Sequence, residues 1–181
     1  MPPSFHNQHY LLAARPAGEI KTTDFSLVDA PIPEPGAGEV LLETRYLAVD
    51  PAMKGWMEAR VDYVAPLNIG DVMRGNGAAC VLESNHPDYP VGSLVMGPLG
   101  WRRYVVSDGN SVPLTHVPQG IDPATALNVL GITGLTAYFG MGEIGQPRAG
   151  DTVLVSGAAG ATGSIAGQLA RIAGARVIGI A

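Results

Sequence analysis

Residues 152–181 read TVLVSGAAGATGSIAGQLARIAGARVIGIA, and this stretch decides the fold. Val153, Leu154 and Val155 form a short apolar run, the pattern of a parallel strand buried on both faces. Gly157, Gly160 and Gly163 follow on a turn that opens a helix. Ile165, Leu169 and Ile172 then recur at helical spacing, Ala166 and Ala170 permit close packing, and Gly174 stands where a helix C-cap is expected. Arg176 to Ala181 returns as a second strand, with Val177, Ile178 and Ile180 supplying its apolar character. Strand, glycine turn, helix and strand within about thirty residues make the opening βαβ unit of a dinucleotide-binding fold.

Glycines at such a turn let the backbone bend tightly and approach a pyrophosphate, whose charge meets free N–H groups and the positive helix end. Gly160, Ala161, Thr162 and Gly163 are therefore the candidate pyrophosphate-facing residues. The fingerprint GxGxxG is incomplete, because Ala158 occupies its first glycine position. The alternative is an ordinary tight strand-to-helix turn that binds nothing. Ser156, at the strand end, either lies near the cofactor or caps the turn with its hydroxyl. The residue that reads the adenosine ribose is expected about 20 positions beyond the glycines, past Ala181, so these residues do not separate NAD from NADP.

At 181 residues the chain can hold one substantial core, or one domain and a piece of another. A net charge of −5, with no basic stripe among aromatics, argues against nucleic acid or an anionic membrane as partner. No apolar run is long enough to span a bilayer, and no secretory or transit pattern is visible. Cys80 is the single cysteine, which excludes an intrachain disulfide and suits a reducing compartment, with cytoplasm the default expectation.

The first 120 residues read as short strands separated by turns. Strands are predicted over 9–13, 25–30, 40–49, 78–83, 93–96, 101–106 and 112–116, the pattern of an all-β barrel or sandwich. The proline-rich run from Pro31 to Gly38 is a rigid loop that cannot join a sheet interior. Asp122-Pro123 is a helix-start pair, and helices are predicted over 124–129 and 135–141. The domain boundary is placed between 118 and 124. The expected organisation is a barrel over 1–120, then connecting helices and a truncated dinucleotide domain over 121–181.

Several segments carry a closer resemblance. Leu47-Ala48-Val49-Asp50-Pro51-Ala52-Met53-Lys54-Gly55-Trp56-Met57 is similar to the prostaglandin/alkenal reductase branch of the medium-chain dehydrogenase/reductase superfamily. So are the runs from Gly131 to Gly140 and Ile144-Gly145-Gln146-Pro147, while Val81 to Tyr89 resembles bacterial curcumin reductases. The resemblance implies a GroES-like β-barrel followed by the first βαβ unit of a Rossmann domain. It implies NADPH as cofactor, with NADH the alternative, and a small enone or enal as substrate. Hydride would pass from the nicotinamide to the β-carbon while the carbonyl oxygen is polarised. Family members run well beyond this length, so an N-terminal half is expected, with a homo-oligomer in the full-length form. The family's proton-donating tyrosine lies outside this stretch, and no catalytic residue carries over.

Zinc enzymes share this architecture, and catalytic zinc needs three protein ligands. Where those enzymes carry a first cysteine this chain has Val49, and where they carry Gly-His-Glu it has Gly75-Asn76-Gly77. No metal site is expected. Thr136, in the Leu-Thr-Ala-Tyr segment, either bonds the cofactor or serves as a helix N-terminal hydroxyl. Tyr63 is a substrate candidate by the resemblance, with packing beneath its loop the rival, and Trp56 offers aromatic surface where the branch's Tyr is replaced by Ala52. Trp101 is expected to anchor the barrel. His6, His9, His86 and His116 read as surface or turn histidines, and Cys80 as a buried inert thiol.

Two further readings stay open: a non-catalytic module that folds or assembles with another chain, and a quinone reductase. Two parallel strands and one helix cannot cover both faces of a sheet. Residues 152–181 are therefore expected to fray, to pair with another copy or to be held by a further segment.

Overall fold

The computed structural model describes residues 6–59 and 64–181, which divide into two compact units, Met1–Pro123 and Ala124–Ala181. In the first, β1 (Asn7–Leu12) and β2 (Phe25–Ala30) pair antiparallel, with Asn7 opposite Ala30 and Leu12 opposite Phe25. Strand β3 (Val40–Leu47) pairs with β4 (Gly77–Ser84) on one side. On its other side it pairs with β6 (Tyr104–Ser107). Strands β5 (Leu94–Gly97) and β7 (Thr115–His116) extend the sheet, giving the antiparallel order β6-β3-β4-β5-β7.

Apolar alternation explains what this sheet covers. Val40 and Leu42 of β3 meet Ala79, Val81, Val95, Leu99 and Val105 in one buried cluster. Leu41 is buried as well, so three consecutive β3 side chains are shielded on a strand whose successive residues face opposite sides. The register skips at Leu41/Leu42, where Leu82 is the extra residue of β4, and again between Thr44 and Tyr46. Such bulges bend a strand and increase its twist. Beyond the second, Arg45, Tyr46 and Leu47 come to the surface. Leu12, Met57, Leu67 and Met73 form a second cluster, with Phe25, Trp56 and Trp101 packed against it.

Several strand expectations need adjustment. The strand predicted over 101–106 begins only at Tyr104, because residues 101–103 bond sideways to β1: Tyr10 N–H donates to the Trp101 carbonyl and Arg103 N–H to that of Gln8. The one predicted over 112–116 shrinks to Thr115–His116. A helix the periodicity did not reveal, α1 (Ala52–Met57), follows Pro51. Six residues are too few for an amphipathic signal, yet Met53 and Met57, one turn apart, are both buried. Trp101 does anchor the barrel, stacking on Phe25 at 5.5 Å and meeting Tyr10 edge-on at 6.0 Å between ring centroids.

The second unit opens with α2 (Pro123–Val129) and α3 (Ile132–Phe139), which continues into a wide turn over Gly140–Gly145. Helix α3 thus starts three residues before the predicted position. Gly134 lies inside it because a Cβ there would run into the Val129 carbonyl, so this glycine marks close packing rather than a break. Strands β8 (Thr152–Ser156) and β9 (Arg176–Ile180) are parallel, joined by α4 (Ala161–Ile172). Gly174, in the left-handed region, closes α4, with Ala175 N–H donating to the Ala170 carbonyl and Gly174 N–H to that of Arg171.

Burial on both faces of β8 is not found. Val155 and Ile165 are buried, but Leu154 is 62% exposed and Ile172 is 81% exposed. Helix α4 packs on both strands and, lying across one face, shields only the side chains that alternate toward it. No single helix among the described residues is long and apolar enough to cross a membrane.

Asn7 stitches β1 to β6: its amide donates to the Tyr104 carbonyl at 2.9 Å and accepts from the Tyr104 N–H at 2.8 Å, all buried. Asn7→Ala leaves both backbone groups without partners and is expected to cost about 1–3 kcal/mol, read by chemical denaturation of the first unit. His9 corrects another expectation, since it lies on β1 with a buried, unpartnered Nε2 rather than in a surface turn. Burial first, and the Arg102 charge second, hold its imidazole below the ordinary value. The folded state then binds that proton more weakly than the unfolded chain, so stability should fall as pH drops through about 6.5. Thermal unfolding between pH 7.5 and 5 should show this slope, and His9→Gln should flatten it.

Candidate functional site

The turn from β8 into α4 is built almost wholly from backbone. Gly157 takes φ +61°, a conformation side chains disfavour. Ala158 N–H donates to the Ile180 carbonyl at 2.9 Å, tying the turn to the end of β9, and Gly160 N–H donates to the Gly157 carbonyl at 2.9 Å. A Cβ on Gly163 would run into that same Gly157 carbonyl, and one on Gly160 would lie 3.2 Å from it. The helix can start this close to the strand only because both positions lack side chains.

Gly160 is the extended N-cap of α4 and brings no side-chain acceptor to the first turn, which contains no acidic residue either. The ladder begins when Ser164 N–H donates to the Gly160 carbonyl at 2.9 Å. The amides of Ala161, Thr162 and Gly163 precede it, on the positive end of a twelve-residue helix. This is a cradle of donors that a bulky side chain would fill, and it suits a pyrophosphate. The departure from the glycine fingerprint has a local answer. Gly179 on β9 faces Ala158, and a Cβ on Gly179 would come within 2.8 Å of the Ala158 Cβ. The glycine missing from the turn is offset across the strand pair. A glycine inside a strand signals such close approach, and Gly179 carries that signal in the sequence.

The remaining candidates sort differently. Ser156 ends β8, and its exposed hydroxyl makes no hydrogen bond among the described residues, so the turn-capping alternative is not what the structure contains. Thr136 is exposed in the body of α3, and its hydroxyl donates to the Ile132 carbonyl at 2.6 Å. The N-terminal-hydroxyl reading fails because α3 starts four residues earlier, and Thr136 keeps only acceptor capacity. In the first unit Trp56 lies half-buried on α1 with the Arg74 guanidinium 5.6 Å above its ring. Its Nε1 is buried without an acceptor. Tyr63 lies outside the described residues.

Among the described residues no three His, Cys, Asp or Glu side chains come together as a metal group. Val49 is exposed rather than buried at a metal pocket. Cys80 is half-buried, short of the full burial expected, with its thiol 3.7 Å from the Val81 carbonyl. His116 stacks on the Tyr89 ring at 5.0 Å and His86 lies tilted against it at 4.9 Å, ring contacts rather than a ligand pair.

Comparison with known proteins agrees with this geometry. Residues 8–114 match the family described as the N-terminal domain of oxidoreductase. The NADPH-dependent curcumin reductase of Escherichia coli (strain K12) is 43% identical over 176 residues, which is 97% of this chain and 50% of that protein. Prostaglandin reductase 1 of Oryctolagus cuniculus is 42% identical over 166 residues, covering 91% of this chain and 46% of that protein. The crystal structure of CurA from Vibrio vulnificus in complex with NADPH superposes with a TM-score of 0.85 at 41% identity, over 95% of this chain and 51% of that one. The chain belongs to this oxidoreductase N-terminal domain family, within the medium-chain dehydrogenase/reductase superfamily. It is a GroES-like barrel followed by the first βαβ unit of a Rossmann domain, and it spans about half the length of these relatives.

The close approach at Gly163 is testable without any ligand. Gly163→Ala should destabilise the second unit by about 1–3 kcal/mol, seen as faster amide exchange along α4. Gly142→Ala, where a Cβ meets nothing within 4 Å, should stay within about 0.5 kcal/mol of the parent.

Proposed function

We propose that this chain supplies the substrate-side barrel and the pyrophosphate turn of an NADPH-dependent reductase acting on the carbon–carbon double bond of α,β-unsaturated ketones or aldehydes. The observation that carries the reading is the side-chain-free turn at Gly157, Gly160 and Gly163, which opens α4 with its first-turn amides uncapped. NADPH, when bound, supplies the hydride. The amides of Ala161, Thr162 and Gly163 would hold its pyrophosphate, with the Ser156 hydroxyl free to add a bond at the strand end. Thr136 would contribute as an acceptor only. In the barrel, Trp56 presents aromatic surface to an apolar enone, and Tyr63 is the second substrate candidate. The names of the relatives support the cofactor and the kind of reaction, as does the NADPH complex of a protein this similar. The site is proposed to work without zinc, and the full-length form to be a homo-oligomer.

One observation favours a second reading, that of a module completed by another chain. The β8–β9 sheet leaves Leu154, Ile178 and Ile180 exposed, a row of apolar side chains with no cover from α4.

The test is NADPH oxidation with an α,β-unsaturated ketone, using this chain and a version extended to full family length. Turnover is expected in the extended form, with Gly160→Val weakening NADPH binding at least about tenfold, or 1.4 kcal/mol. Rapid quinone turnover without enone reduction would assign a quinone reductase instead. NADPH binding with neither activity would favour the module.

A further inference from the structure

Arg15 and Arg74, like Arg102 on the Leu99 carbonyl, hold backbone rather than carboxylates. Arg15, half-buried in the loop after β1, splits its guanidinium between two carbonyls: one terminal nitrogen donates to Met57 at 2.8 Å and the other to Leu67 at 2.9 Å. Met57 is the last residue of α1, and Leu67 lies ten positions further along, before β4. Both side chains are buried in the cluster around Leu12 and Met73. Leu67 N–H closes the same frame by donating to the Trp56 carbonyl at 2.8 Å. Arg74 donates to the Ala65 carbonyl at 3.1 Å while its guanidinium lies over the Trp56 ring. The ion pairs among the described residues join Glu43 to Arg45 and Arg103, and include neither Arg15 nor Arg74.

A planar guanidinium bonded to two carbonyls fixes their separation and relative direction, which a single ammonium does not. A six-residue helix has little stability of its own, so the end of α1 takes its position from such contacts. We propose that Arg15 is a positioning residue for substrate recognition: by bridging Met57 and Leu67 it sets where α1 ends and the angle at which Trp56 is presented. This rests on the reading of Trp56 as a wall of the enone site. Arg74 lies over the indole ring, and Arg15 itself touches no substrate.

The test has two arms. In the form extended to full family length, Arg15→Met should raise the Michaelis constant for the enone about tenfold, the scale on which small misplacements act. The enone kcat and the Michaelis constant for NADPH should stay within about twofold, and Arg15→Lys, which keeps charge without the fork, should recover part of the loss. An unchanged enone constant, or equal losses in all three parameters, would overturn the proposal. In the 181-residue chain itself, Arg15→Met should speed exchange of the Leu67 amide, and unaltered exchange would overturn the bridge whatever the kinetics. Failure of the parent extended form to reduce enones would sink the reductase reading instead, leaving Leu67 exchange to decide the bridge.

Discussion

Strand β3 is the member on which the first unit depends, because it is paired on both sides along Val40–Glu43 and buries three consecutive side chains there. Burying Val40 and Leu42 against Ala79, Val81, Val95 and Val105 removes from water the apolar surface that holds four of the five strands together. The two bulges then set how far this order extends. Past Arg45 the strand leaves the core, and the chain is delivered at the surface just before α1. The segment carrying Trp56 is therefore not held by the sheet. It is held by Met53 and Met57 beneath it, by the Arg15 bond to the Met57 carbonyl and by the Arg74 guanidinium over the Trp56 ring.

In the second unit the corresponding constraint is steric. The Gly157 carbonyl occupies the space a side chain at Gly163 would need, so α4 can begin where it does only with glycine there. The first-turn amides consequently project from a bare backbone rather than from beneath a capping side chain. Close helix–strand packing and an uncapped, accessible first turn thus follow from the same absent atoms, which is the arrangement the proposed pyrophosphate site would use. The pairing of Ala158 with Gly179 follows the same logic, because volume added at the turn is removed from the neighbouring strand.

Much of this was legible in the chain. The strand–glycine–helix–strand order, the C-cap at Gly174 and the β-rich first half are local patterns, and each formed where spacing and turn chemistry placed it. What local pattern could not convey is equally specific. Helix α1 is too short to show periodicity, and Gly134 looks like a helix break but is a packing contact. Trp101 to Arg103 look like strand but bond sideways to β1. Leu154 and Ile172 have the sequence of buried residues, yet α4 lies on one face only.

By itself the sequence determined the barrel-then-βαβ order and the position of the glycine turn that opens α4, because strand alternation, helical spacing and glycine geometry act over a few residues. Only the tertiary structure decided which donors are free. The Thr136 hydroxyl is committed within α3 and the Ser156 hydroxyl does not cap its turn, both matters of local geometry, while Arg15 bridges two carbonyls more than forty positions further along the chain. Hydrogen bonds are short and directional, so a difference of a few tenths of an ångström settles whether a group is engaged, and no spacing in a sequence encodes that distance.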